Sequence, residues 1–321
     1  MNITRRTFGA GAAASVLLSP AAWSQSAWPN KPIRFVVPFA AGGANDLLGR
    51  AAAEGASKIL GQQVVIDNKP GAGAALGTDI VAKAAPDGYT FLISAAGVVS
   101  NGMIRAVPYK DSDLVPVAMV GLAPSVIVVP ASSPYKDLKE FVAASKKGAG
   151  LHFATAGTGS TPHFVEGLLT TLYGAKLDVV PYKSGSESVN AVIGGQVDAT
   201  SEASIVVLPH VKSGRLKAMA TTWTQRISSY QQLPTAVELG FPEIRIAHWA
   251  GLHAPAGTPE AILDKMAAAV DAAMKDPAIV ERLRAMGIEP IGGTRASFAK
   301  FVDEERARLG AVVKATGMKG D

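Results

Sequence analysis

Two segments of this 321-residue chain place glycine and hydroxyl residues where a bound anion would need them. The first, Pro38-Phe39-Ala40-Ala41-Gly42-Gly43-Ala44-Asn45-Asp46, falls between an apolar run and a helical pattern. A glycine pair there lets backbone N–H groups turn towards a ligand, and the helix start adds partial positive charge. The same residues also suit an ordinary turn in which Asp46 caps the helix, and spacing alone leaves both readings open. The second, Ala154-Thr155-Ala156-Gly157-Thr158-Gly159-Ser160-Thr161-Pro162-His163, repeats the design with more hydroxyls and a helix start marked by Pro162. It offers a seat for a second carboxylate, or a cap in which Ser160 or Thr161 serves only the helix.

Other combinations do not assemble chemistry. Asn68-Lys69-Pro70-Gly71-Ala72-Gly73-Ala74-Ala75-Leu76-Gly77 has the glycines of a dinucleotide fingerprint. Lys69-Pro70 intervenes, however, and no acidic residue ends a following strand about 20 residues on. A tight turn with close helix packing is expected there. Ser160, His163 and Glu166 suggest a hydrolase, but there is no G-x-S-x-G elbow, and one helix start cannot easily give nucleophile–base geometry. The five histidines, at 152, 163, 210, 248 and 253, form no zinc-ligand pattern. With no cysteine, thiolate metal sites, Cys nucleophiles and lipid attachment are excluded. No catalytic residue, metal or cofactor is expected, which favours binding.

The elements that must position these loops alternate short apolar runs with longer helical patterns, the mark of βαβ units and mainly parallel sheets. Strands are expected at Ile33–Val37, Val64–Ile66, Tyr89–Ser94, Val126–Val129, Leu151–Ala154 and around Val179–Val180. Helices are expected from Asp46 to Leu60, through Ala84, and near Leu138–Lys146, Pro162–Tyr173, Glu187–Gly194 and Ile205–Ser213. The last third turns helical. Thr258 is expected to cap a helix starting at Pro259, with Ile262, Met266, Val270 and Met274 along one face. Asp276-Pro277 and Thr294 open two more helices, the last with Phe298, Phe301 and Val302 on one face.

Composition bounds the class. Apolar residues make up 48% and aromatics 6%, as in a globular chain long enough for two domains. Net charge is +5, or +3 without Arg5 and Arg6, and no basic tract interleaved with aromatics points to nucleic acid. Thr4-Arg5-Arg6-Thr7-Phe8, an Ala/Gly-rich run through Leu18 and small residues before Trp28 read as a cleaved signal peptide of twin-arginine type over 1–27. That apolar run is shorter than the roughly 20 residues of a spanning helix. A soluble exported protein is expected.

Ordered landmarks over Trp28 to Asp321 then carry a resemblance. WPNKPIRFVVPFAAGGANDLLGR, VVIDNKPGAGAALGTDIVAKAAPDGYT, FATAGTGSTPHFVEG, VPYKSGSESVNAVIGGQVD and HWAGLHAPAGTP make the chain similar to the Bug (Bordetella uptake gene) solute-binding proteins of tripartite tricarboxylate transporters. The resemblance implies an α/β, periplasmic-binding-protein-like (type II) fold: two α/β domains with a ligand cleft between them, and C-terminal helices returning to the first. Residues 28–124 and 250–321 would form domain one, and 125–249 domain two. It also implies a periplasmic monomer that captures a small carboxylate solute for membrane permease subunits. A sensor that presents its ligand to a membrane kinase, and a periplasmic hydrolase, are the alternatives. Carried over by position, Phe39, Ala40, Gly42, Gly43, Asn45 and Asp46 would form one wall of the cleft, with Ala95, Ala96 and Val98 beside them. Thr155, Thr158, Gly159, Ser160, His163, Tyr182 and Asp198 would form the other. The chain departs from the family pattern at Ala41, at Gly97–Gly102 and at Ala199–Glu202. An acidic Glu202 near the cleft would repel a second carboxylate, or accept a ligand amine or hydroxyl.

Overall fold

The computed structural model describes residues 28–319, so the export segment expected over 1–27 lies outside the described residues. The chain order begins β1 (Ile33–Val37), α1 (Ala44–Leu60), β2 (Val64–Asn68), α2 (Ala75–Ala82), β3 (Thr90–Ser94) and α3 (Ala96–Ile104). It continues with β4 (Leu114–Pro130), α4 (Leu138–Ser145), β5 (Leu151–Thr155), α5 (Thr161–Tyr173), β6 (Leu177–Pro181) and α6 (Gly185–Ile193). Then come β7 (Ala199–Ala203), α7 (Ser204–Lys212), β8 (Leu216–Thr221), β9 (Ala247–Pro255), α8 (Glu260–Ala273), α9 (Pro277–Ala285), β10 (Glu289–Pro290) and α10 (Arg295–Thr316).

The strands run β2-β1-β3-β9-β4-β7-β5-β6, with β8 and β10 also on β4. Pairing is parallel among β1, β2 and β3 and among β5, β6 and β7, as alternating βα units require. The two long central strands are antiparallel to their neighbours, so "mainly parallel" holds only within each wing. Along β4, residues Leu114–Pro124 pair with β9, whereas Ser125–Val128 pair with β7. Both long strands therefore tie the two wings together. The apolar run Val126–Val129 is only the tail of β4. Pro116 and Pro124 and two register shifts conceal the rest of that 17-residue strand in the sequence.

Helices pack where small residues allow close approach. A Cβ on Gly55 of α1 would overlap Ala273 of α8, so these helices lie in contact because Gly and Ala line the seam. Met266 and Val270 of α8 are buried as expected, but the helix begins at Glu260, with Pro259 as its N-cap. Thr258 is not the cap: its Oγ1 donates to Pro255 O at 2.8 Å and so serves the preceding turn. Asp276 and Thr294 do cap α9 and α10, accepting from backbone N–H groups of the first turns. Helix α10 packs on α3 and also reaches α5 of the other wing. Among the described residues no helix is long and apolar enough to cross a membrane.

Candidate ligand-binding cleft

Four helices begin at one place. The starts of α1, α3, α5 and α6 open on a single cavity between the wings, which Gly43, Ala44, Ala95, Ala96, Gly97, Ser160, Thr161 and Gly185 all line. Phe39, Asn45, Ala156, Pro162, Glu202, His248 and Trp249 complete the lining. In α1, α3 and α5 no side chain caps the first-turn N–H groups, whereas Ser184 accepts from Glu187 N–H in α6. Among the described residues no Lys or Arg lines the cavity, so its positive potential comes from helix ends and peptide N–H groups. That combination suits a small anion held by neutral donors.

Each wall is fixed by hydrogen bonds that keep its backbone in place. The Asn45 side-chain amide donates to Ser94 O at 3.3 Å and to Trp249 O at 3.1 Å, fastening the α1 start to β3 and β9. Asp46 is buried, and burial alone would raise its pKa. The Arg50 guanidinium, Gly42 N–H and Asn68 amide outweigh that, so its carboxyl sits below the usual value. Trp249 is held from behind, donating to Glu305 Oε2 at 3.0 Å and meeting Phe298 and Phe301 edge-on.

The wings are drawn together. Ser186 Oγ donates to Gly42 O at 2.9 Å, Ser100 Oγ to Gly159 O at 3.3 Å and Arg105 Nη2 to Thr158 O at 3.0 Å. About 30 Å³ of water-accessible space remains in the cavity, room for a water or two. This is a closed arrangement.

Of the residues expected in the site, Phe39, Gly43, Asn45, Ala95, Ala96 and Ser160 line the cavity. Gly42 and Asp46 stand just behind them, bonded to each other, with Ala40 in the same loop. Thr155 ends β5, buried, and its carbonyl accepts from Tyr182 N–H and Ser188 Oγ. Thr158 and Tyr182 border a neighbouring cavity, Val98 borders another, and Gly159 N–H donates to His163 Nδ1. Asp198 lies at the start of β7, where its carboxylate accepts from His152 N–H; it is not brought to the cavity.

The Ser160 hydroxyl donates back to Gly157 O at 2.6 Å, making neither a cap to α5 nor a bond to His163. Burial and the charge of Arg105 lower the His163 pKa to about 4, so the ring stays neutral while it orders the loop. The two residues spend their hydrogen bonds separately, without nucleophile–base pairing.

Gly185, His248 and Trp249 were not among the residues expected to bind ligand, whereas Glu202, expected near the cleft, does line the cavity. Ser184-Gly185-Ser186-Glu187 does carry a legible capping signal for a fourth βα start. Glu202 is 2% exposed, and its Oε1 has no hydrogen-bond partner. Burial pushes its pKa up to about 8, while burial lowers His248 to about 4. Their 3.8 Å approach is therefore a contact of two neutral groups, not an ion pair. A Glu202 that stays protonated does not repel a second carboxylate as a charged one would.

Two α/β wings joined by long crossing strands, with helix starts facing one cleft, define a solute-binding protein of the periplasmic-binding type. Residues 48–318 match the model described as the tripartite tricarboxylate transporter family receptor, and the chain belongs to that family. It is 35% identical to Protein BugT of Bordetella pertussis, over 99% of each chain. The solved structure of periplasmic binding protein BugD is 31% identical, with a TM-score of 0.87 over 92% of this chain and 100% of that one. MatC from Rhodopseudomonas palustris, solved with bound malate, is 31% identical with a TM-score of 0.85, over 89% and 100%.

Proposed function

We propose that this protein captures a small carboxylate in the periplasm and presents it, as a monomer, to the membrane permease subunits of a tripartite transporter. The observation that carries the reading is the meeting of four helix N-termini on one cavity with no Lys or Arg in its lining among the described residues. Such a site holds an anion by fixed dipoles and N–H groups, and binding needs nothing more. Family membership and the malate held by MatC support the carboxylate class, and BugD, named as a periplasmic binding protein, supports the location.

In this reading Phe39, Gly43, Asn45, Ala95, Ala96 and Ser160 face the solute, and the rest of the two loops holds them in place. The partner change of β4 between Pro124 and Ser125 supports lobes of 28–124 with 250–321, and 125–249. Wing closure on the solute would then be the signal that the permease reads. Native mass spectrometry of protein purified without denaturation tests the assignment. A retained carboxylate of defined mass, unchanged after prolonged incubation, is expected. Steady conversion of added carboxylates, absent from mock-purified controls, would replace binding with catalysis.

A further inference from the structure

The carboxylate reading leaves Glu202 unexplained, and the inference that follows rests on that reading. Glu202 is almost wholly buried, lines the cavity, and carries an oxygen without a partner. Its side chain lies so close to the first turn of α6 that a Cβ on Gly185 would overlap it. Glu202, the one acidic residue lining the cavity among the described residues, thus fills the space that a side chain at position 185 would need.

No countercharge faces it among the described residues. On β9 it meets neutral His248, whose Nε2 also lies 3.3 Å from Ser125 Oγ, and on β4 it stands opposite apolar Val126. The ionisable groups on the surrounding helices are engaged elsewhere. Asp46 on α1 pairs with Arg50, His163 on α5 accepts from Gly159 N–H, and Glu187 on α6 accepts from Lys183 N–H. Burial outweighs the backbone bond at Ala203, which favours the charged form, so with no cation beside it the carboxyl keeps its proton and can donate.

We propose that Glu202 donates its O–H to an acceptor oxygen at the end of the ligand that the helix starts do not hold, so that the site selects an anion with two acceptor ends, such as a dicarboxylate. Capture then requires the proton on Glu202. The raised value of about 8 puts its loss within reach of experiment. An ammonium end placed there would meet a protonated acid in place of a carboxylate, and is disfavoured.

Calorimetry with malate, adipate, butyrate and hexanoate from pH 6.5 to 9.5 tests this, on wild type, Glu202→Gln and Glu202→Ala, with melting curves confirming that each is folded. For wild type, dicarboxylate affinity should fall about tenfold per pH unit above pH 8, because a ligand already fully ionised needs the proton on the protein. Glu202→Gln keeps an N–H donor, so it should bind within a few-fold of wild type at pH 7 and lose the pH dependence. Glu202→Ala should lose about tenfold or more for dicarboxylates and less for monocarboxylates. Wild-type affinity that is flat or rises with pH overturns the proposal, the rise indicating a charged Glu202 that accepts from the ligand. Failure of wild type to bind any of the four at any pH counts instead against the carboxylate reading itself.

Discussion

Gly43 shows how one missing Cβ serves the site. It lines the cavity at the start of α1 with φ −79° and ψ 168°, a conformation open to any residue. A Cβ added there would find Ala40 O at 3.6 Å, an ordinary contact. Gly43→Ala should leave the unliganded protein's melting temperature within a degree or two, yet weaken carboxylate binding strongly by intruding on the ligand's space. Ser160→Ala should cost less, because its hydroxyl already donates to Gly157 O and water can replace it. Glu202 bears on stability as well. Below pH 4.5 folded and unfolded chains both hold its proton, and nothing is lost. As pH rises from 4.5 to about 8 the unfolded chain ionises while the folded one does not, so stability is lost across that window. Glu202→Gln removes the loss. Denaturant titration should show it gaining on wild type by about 2–4 kcal/mol between pH 4.5 and pH 8.

At the scale of elements, the site is a set of helix starts held by strands, and three side-chain hydrogen bonds between the wings draw its walls together. Ser186, Ser100 and Arg105 each donate to a carbonyl of the opposite wing. A typical bond of this kind is worth about 1 kcal/mol, so Ser186→Ala with Arg105→Ala should shift the open–closed balance about tenfold or more towards open. Hydrogen exchange should then rise along 40–43 and 156–160 while β1 and β5 stay protected. The βα units were legible because Ile33–Val37 and Leu151–Thr155 are short, mostly apolar strands ahead of glycine loops. The crossing strands were not. Pro116, Gly121 and Pro124 break the pattern of β4, and Ala247–Pro255 mixes His, Gly and Trp into β9. Their register comes from contacts across the molecule, which no local window contains. For the same reason Gly185 and His248 reach the cavity only once β9 and α6 are brought together, whereas Glu202 was already expected near the cleft.

For the whole molecule, closing two wings around a solute converts binding into stability. A ligand present at a hundred times its Kd stabilises the folded state by about 2.7 kcal/mol, so melting temperature should climb with ligand concentration. The central claim is that the facing helix starts, through their N–H groups, hold a carboxylate. Isothermal titration of malate and the other small carboxylates into wild type and Gly43→Ala, side by side, tests it most directly. Wild type should show one site per chain, and a Gly43→Ala protein that melts normally should bind at least about tenfold more weakly. A variant that binds as tightly as wild type would contradict it, leaving these loops as turns and placing the ligand elsewhere.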